Sequence, residues 1–165
     1  MHSVVRAWRD EDAAAIAGIC GDPEVCAWAE IPWEPDVAAL GAWVARQREA
    51  HGGRQVSLAI AGEDDRAVGW VGLWPVEGDA DGAELGYWIV PEARRRGLTL
   101  AAARAVARWG LDEAGYAWIR LQTGAHNTGS RRIAERLGAR QLPRLVVVAD
   151  REGREHELVG YELRR

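Results

Sequence analysis

The sequence predicts an α/β or α+β sandwich built on a mixed sheet, and three observations lead there. Short apolar and aromatic runs alternate with stretches of helical periodicity in the order strand, two helices, strands, helix, strand, helix, strands. The 165 residues are 48% hydrophobic and 28% charged, enough for one core, so residues 1–165 are expected to form one domain. Midway, residues 84–139 join a strand to a helix through an arginine-glycine turn and set a second strand and helix behind it.

In chain order, residues 4–8 read as a first strand, and Asp10 as the cap of a helix that buries Ala13, Ile16, Ala17 and Cys20. Residues 21–35 carry three prolines together with Trp28, Glu30, Ile31 and Trp33. That segment is too broken for a long helix and too aromatic for an inert linker, so it is expected to cover a substrate mouth. A second helix starts near Asp36, shows Val37, Leu40, Val44 and Gln47 on one side, and stops at Gly52 and Gly53. Strands at 55–61 and 67–74 follow, joined by a turn over 62–65.

The run at 85–90 reads as a strand ended by Pro91. Beyond Gly97, Leu98, Ala101, Ala102, Ala105, Val106 and Trp109 recur at helical spacing while Arg104 and Arg108 fall off the stripe, and Gly115 ends the helix. A strand at 118–123 leads to Asn127 and Thr128, which cap a helix running to Leu137 with Gly138 as its stop. Strands at 142–149 and 157–163 close the chain around a turn at 150–153.

A helix that begins at a glycine turn offers unpaired N–H groups and the positive end of its dipole, and three consecutive arginines add charge at that point. A large polyanionic cofactor is therefore expected at Arg94, Arg95, Arg96 and Gly97. With a net charge of -4 and a pI near 5.6, the chain has no general attraction for nucleic acid, and free nucleic acid is not expected as a partner. No basic leader followed by a long apolar run is present, so no membrane is expected and cytoplasmic residence is the default. Cys20 and Cys26 have neither zinc-knuckle nor redox spacing, and no metal is expected. The nine tryptophans, with no phenylalanine and no lysine, are a compositional bias to which no function is assigned.

These residues resemble the GNAT superfamily of acetyl-CoA-dependent N-acetyltransferases, especially the Rim-type branch that includes ribosomal-protein N-terminal acetyltransferases. The family's phosphate-binding pattern is Gln or Arg, two residues, Gly, one residue, then Gly or Ala. Here it reads Arg94, Arg95, Arg96, Gly97, Leu98, Thr99, with Thr99 in place of the small final residue. The phrase ELGYW at 84–88 and the segment NTGSRRIAERLGA at 127–139 look like the Rim-type branch.

The resemblance implies a GNAT fold, a mostly antiparallel mixed sheet flanked by helices, with strands splayed at the cofactor site. It implies acetyl-CoA as co-substrate, with its arm entering beside Trp88, Ile89 and Val90, whose N–H groups would bind the arm and polarise the thioester carbonyl. Arg94 to Thr99 would hold the diphosphate, and Asn127, Ser130 and Arg132, with Arg131 beside it, would face the rest of the cofactor. Glu84 aligns with the family's general base; a solvated strand carboxylate is the plainer alternative. Ala134 stands where the commoner pattern has a tyrosine that protonates the departing thiolate, and a hydrogen bond from Ser130 is the expected substitute. Asn127 and Ser130 also suit plain helix capping. Trp33, Trp74, Glu84 and His156 are the expected acceptor-side residues.

A free α-amine, with a pKa of about 7.7–8.0, is roughly a tenth neutral at pH 7, whereas a lysine amine must give up about 4.6 kcal/mol to lose its proton. A peptide α-amine is thus the favoured acceptor, with an amino sugar or polyamine as alternatives and the choice between monomer and homodimer open. The rival readings are a catalytically idle acetyl-CoA-binding module and, far behind, a nucleotide or NAD-binding domain, which would need a G-x-G-x-x-G turn that this chain lacks.

Overall fold

The computed structural model describes residues 4–165. Its elements are β1 (Val5–Arg6), α1 (Asp12–Ala15), α2 (Pro23–Cys26), α3 (Val37–Glu49), β2 (Val56–Ala61), β3 (Ala67–Val76), β4 (Asp79–Ile89), α4 (Leu98–Asp112), β5 (Trp118–Gly124), α5 (Thr128–Leu137), β6 (Arg140–Ala149) and β7 (Glu155–Arg164). Single 3-10 turns at Ala17–Ile19 and Pro91–Ala93 complete the path. The strands form one seven-stranded sheet in the order β1-β2-β3-β4-β5-β7-β6. Every neighbouring pair is antiparallel except β4 with β5. The mixed, mostly antiparallel sheet flanked by helices agrees with the GNAT expectation.

The N-terminal helix differs from its expected form. It starts at Asp12 with no side-chain cap, and Asp10 is spent on an ion pair with Arg48. Asp12 is itself buried and accepts from both terminal nitrogens of Arg6 at 2.8 Å and from the Arg9 N–H at 2.8 Å, so it fixes the strand-to-helix corner. After Ala15 the chain tightens into the 3-10 turn, which buries Ile16 and Ile19 and leaves Ala17 and Cys20 only half-buried. α3 begins as expected, the Asp36 carboxylate accepting from the Ala38 and Ala39 N–H groups. Its buried side is Leu40, Trp43 and Val44, with Val37 exposed. Trp43 sets that rotation, because its ring meets Trp8 edge-on at 5.2 Å and Trp88 at 5.6 Å.

α4 is rotated from the stripe read in the sequence: Ala101 and Ala105 face outward, while Thr99, Ala102, Ala103, Val106, Ala107, Gly110 and Leu111 are buried. Small residues let this helix lie close against the sheet. A Cβ on Gly110 would come within 2.6 Å of Leu73 Cδ2 and 3.1 Å of Ile119 Cδ1. α5 follows its expected caps, Asn127 accepting from the Ser130 N–H at 3.0 Å and Gly138 ending the helix at φ 88°. β4 is longer than the expected run at 85–90, because it pairs with β3 back to Asp79.

The two sheet faces bury different chemistry. One packs Val71, Leu73, Leu85, Ile119 and Leu121 against α4 and α5. The other packs Trp8, Trp43 and Trp88 with Ile16, Ile19, Leu40 and Val44. Among the described residues no helix is long and apolar enough to cross a membrane.

Candidate functional site

β4 and β5 pair over only three residues each, Gly82 with Trp118, Ala83 with Ile119 and Glu84 with Arg120. Beyond that point each strand keeps its outer neighbour, β4 holding β3 as far as Ile89 and β5 holding β7 as far as Gly124. The inner edges therefore separate, and the gap opens into a cavity of about 1030 Å³. The Val90 N–H is not available to this gap, because it donates to the Val68 carbonyl at 2.8 Å. By the same alternation the Trp88 N–H faces β3, against expectation, and the amides of Tyr87 and Ile89 turn toward the gap instead. Of the three positions expected to bind the arm, Trp88 and Ile89 line the cavity, and Val90 is buried in the core.

At one end of the cavity lies the start of α4. Gly97 has φ 79°, a left-handed conformation that favours glycine, and its Cβ position meets nothing within 4 Å. No side chain caps this helix, so its first N–H groups are turned to the open space that Gly97 leaves. Such a turn fits a diphosphate. Arg94, Arg95, Gly97, Leu98 and Thr99 line the cavity; Arg96 is exposed and does not. Asn127, Ser130 and Arg132 line the α5 side. Arg131 is turned away, donating to the Tyr161 hydroxyl at 3.2 Å and the Ala125 carbonyl at 3.1 Å.

The segment expected to cover a substrate mouth spans the cavity at α2. Asp22 pairs with Arg94 on the α4 side, while Glu24 contacts His126 at 2.6 Å and accepts from Asn127 at 3.3 Å on the α5 side. Both carboxylates line the cavity.

Glu84 stands at the fork of the strands. Its Oε1 accepts from Arg120 at 2.6 and 3.1 Å, and its Oε2 accepts from the Trp74 indole at 3.2 Å. A carboxylate offers about four acceptor positions, so these three bonds leave one for a further donor. Across the gap, the Tyr87 hydroxyl lies 3.2 Å from the Ser130 carbonyl, to which it donates, and 3.0 Å from the Ser130 hydroxyl. Burial pushes the Tyr87 phenol up to about 12 against a smaller downward effect of Ser130, so it remains a proton donor across the neutral range.

Trp74 lines the cavity as expected, with Trp70 and Trp28 beside it. Trp33 and His156 do not line it. Trp33 donates to Glu152 at 3.0 Å, and His156 lies 2.8 Å from Asp150 with its ring against Trp28 at 5.2 Å. Burial would raise the Asp150 carboxyl, but bonds from His156, Arg154 and the backbone of Arg154 and Glu152 outweigh it and hold the group well below the usual carboxylate range. This pair thus braces the β6–β7 hairpin behind Trp28. Tyr87, Arg120, Trp70, Asp22 and Glu24 were not expected at the site. Of these, Asp22 and Glu24 lie in the segment expected over the substrate mouth, and Trp70 left a local signal in the alternation Trp70, Gly72, Trp74 along one strand face. Among the described residues no group of three or more His, Cys, Asp or Glu side chains is placed to hold a metal ion.

A family model described as an acetyltransferase (GNAT) domain matches residues 3–140. The chain is also similar to solved structures. RimJ from Mycobacterium smegmatis in complex with CoA-disulfide aligns with a TM-score of 0.78 at 21% identity, covering 97% of this chain and 80% of that one. The ribosomal-protein-S5-alanine acetyltransferase from Vibrio fischeri gives 0.76 at 14% identity, covering 99% and 94%. A spermidine N-acetyltransferase SpeG chimera from Vibrio cholerae and hSSAT gives 0.73 at 18% identity, covering 98% and 96%.

Proposed function

This chain belongs to the GNAT acetyltransferase family, and we propose that it moves the acetyl group of acetyl-CoA to a primary amine by direct attack, the acceptor being an α-amine as in the Rim-type branch. One observation carries the reading: a single cavity joins the uncapped start of α4 to a carboxylate at the fork of the separated strands. The Mycobacterium smegmatis relative in complex with CoA-disulfide supports the cofactor.

Acetyl-CoA supplies an electrophilic thioester carbonyl and a thiolate leaving group. The α4 amides and Gly97, with Arg94 and Arg95 beside them, would hold its diphosphate, and Arg132 would meet charge on the α5 side. The gap amides of Tyr87 and Ile89 would bind the arm and stabilise charge that develops on the carbonyl oxygen. Glu84 uses its remaining acceptor position to take the amine proton, directly or through one water. Ser130 would donate to the departing sulfur, and Tyr87, whose hydroxyl lies 3.0 Å from the Ser130 oxygen, would then turn its one proton from the Ser130 carbonyl to that oxygen, supplying the phenol that Ala134 withholds. An α-amine suits this site because it needs little help to lose its proton.

A second reading, an idle acetyl-CoA-binding module, draws on Ala134 and on the ties that bind Glu84 to Arg120 and Trp74. Thiol release with a panel of amines and peptides separates the two. Glu84→Gln is expected to lower kcat by about 10²-fold with acetyl-CoA affinity nearly unchanged, the defect shrinking at alkaline pH. Tight cofactor binding without transfer to any acceptor would establish the idle module.

A further inference from the structure

Trp70, Gly72 and Trp74 lie on one face of β3, and in register opposite them on β4 are Trp88, Gly86 and Glu84. A Cβ on Gly72 would come within 2.4 Å of the Trp70 ring, and one on Gly86 within 2.9 Å of Trp74 and 3.0 Å of Trp70. The facing glycines therefore make a shallow floor on which both indoles lie, stacked with centroids 6.0 Å apart and planes 24° apart. Each ring is pinned by its polar edge. Trp70 donates to Ser57 at 2.8 Å, Ser57 in turn to Gln47 at 2.9 Å, and Trp74 donates to Glu84 at 3.2 Å. Trp28, 40% exposed and backed by His156, lines the same cavity.

Resting on the reading of this cavity as an amine-acetylation site, we infer that its acceptor side selects an α-amine whose own residue is aromatic. Fixed indole surfaces favour a flat ring that stacks or meets them edge-on. Glu84 is bonded to the edge of Trp74, so an amine delivered to this carboxylate holds its nearest side-chain atoms against the tryptophan wall. The ring must then sit within a few bonds of the nitrogen, as it does in an N-terminal phenylalanine or tryptophan. Polyamines are disfavoured by charge. The cavity is lined by three carboxylates, Asp22, Glu24 and Glu84, against five arginines, Arg94, Arg95, Arg120, Arg132 and Arg136, and Asp22 and Glu84 are paired with two of these, so a second or third ammonium group enters a space of net positive charge.

The test is kcat/KM of the unaltered protein, by thiol release, for the amides of phenylalanine, tryptophan, alanine and glycine, with spermidine alongside. The four amides share an α-amine and differ in side chain. We expect the two aromatic amides to exceed alaninamide by about tenfold or more, and Trp74→Leu to bring that ratio toward one with acetyl-CoA affinity retained. Equal values for the four amides, or preference for spermidine, would overturn aromatic selection and leave acetyl transfer standing. Failure of every amine with the cofactor bound would overturn the acetylation reading and this inference with it.

Discussion

The two ends of the cavity are built from different materials. The end at α4 is made of backbone, a glycine in a left-handed turn and the N–H groups of an uncapped helix. The end at the strand fork is made of side chains, Glu84 held by Arg120 and Trp74 over a floor of facing glycines. Backbone presents the same donors whatever the neighbouring side chains are, so the first end suits a ligand that stays constant. Side chains carry shape and charge, so on the proposed reading the second end sets which acceptor is taken.

If that division holds, the largest separable effect belongs to the backbone end. Gly97→Val forces a β-branched residue into φ 79° and fills the space beside the first amides, and acetyl-CoA affinity should fall by about ten- to hundredfold, consistent with a strain of roughly 1–3 kcal/mol. Calorimetric titration measures it, and the ranking of acceptors should stay as it was. Unchanged affinity would place the diphosphate elsewhere.

Tyr87→Phe sharpens the contrast from within the gap. Losing one neutral hydrogen bond, of about 0.5–1.5 kcal/mol, should lower kcat by about two- to tenfold while the dissociation constant of acetyl-CoA holds. The same variant gives a spectrophotometric check. Because burial raises the folded phenol to about 12 from an ordinary value of about 10, the stability linked to its proton is present below pH about 10 and is lost as pH rises through 12. The tyrosinate absorbance that disappears with Tyr87→Phe should be the part that titrates near pH 12; a step near 10 would contradict the buried hydroxyl.

The smallest effect concerns the α2 segment that spans both ends. Asp22→Asn frees Arg94 from its partner, and since half-exposed ion pairs contribute about 0.2–1 kcal/mol, acetyl-CoA should bind up to about fivefold tighter at low salt. The gain should fade at high ionic strength. Weaker binding would mean that Asp22 orders Arg94 for the cofactor and does not compete with it.

Local chemistry was legible along the chain. The Asp36 and Asn127 caps, the Gly138 stop and the Gly97 turn all appear where the sequence places them, because each depends on groups only a few residues apart. The face of α4 was misread by part of a turn. An alanine-rich helix has little amphipathic contrast, and the close approach of Gly110 to Leu73 and Ile119 chose the rotation. Trp33 and His156 were expected at the acceptor side because a partner from a distant segment meets each of them, Glu152 for Trp33 and Trp28 for His156, and no local pattern signals either contact.

By itself the sequence determined the order of the strands and longer helices, the caps of α3 and α5 and the glycine turn before α4, because backbone conformation is set by near neighbours. Only the tertiary structure decided which groups meet across strands: Glu84 with Arg120, Gly72 with Gly86, and Tyr87 with Ser130. Those pairings depend on register and on where two strands part, and a register is fixed by the packing of the whole sheet.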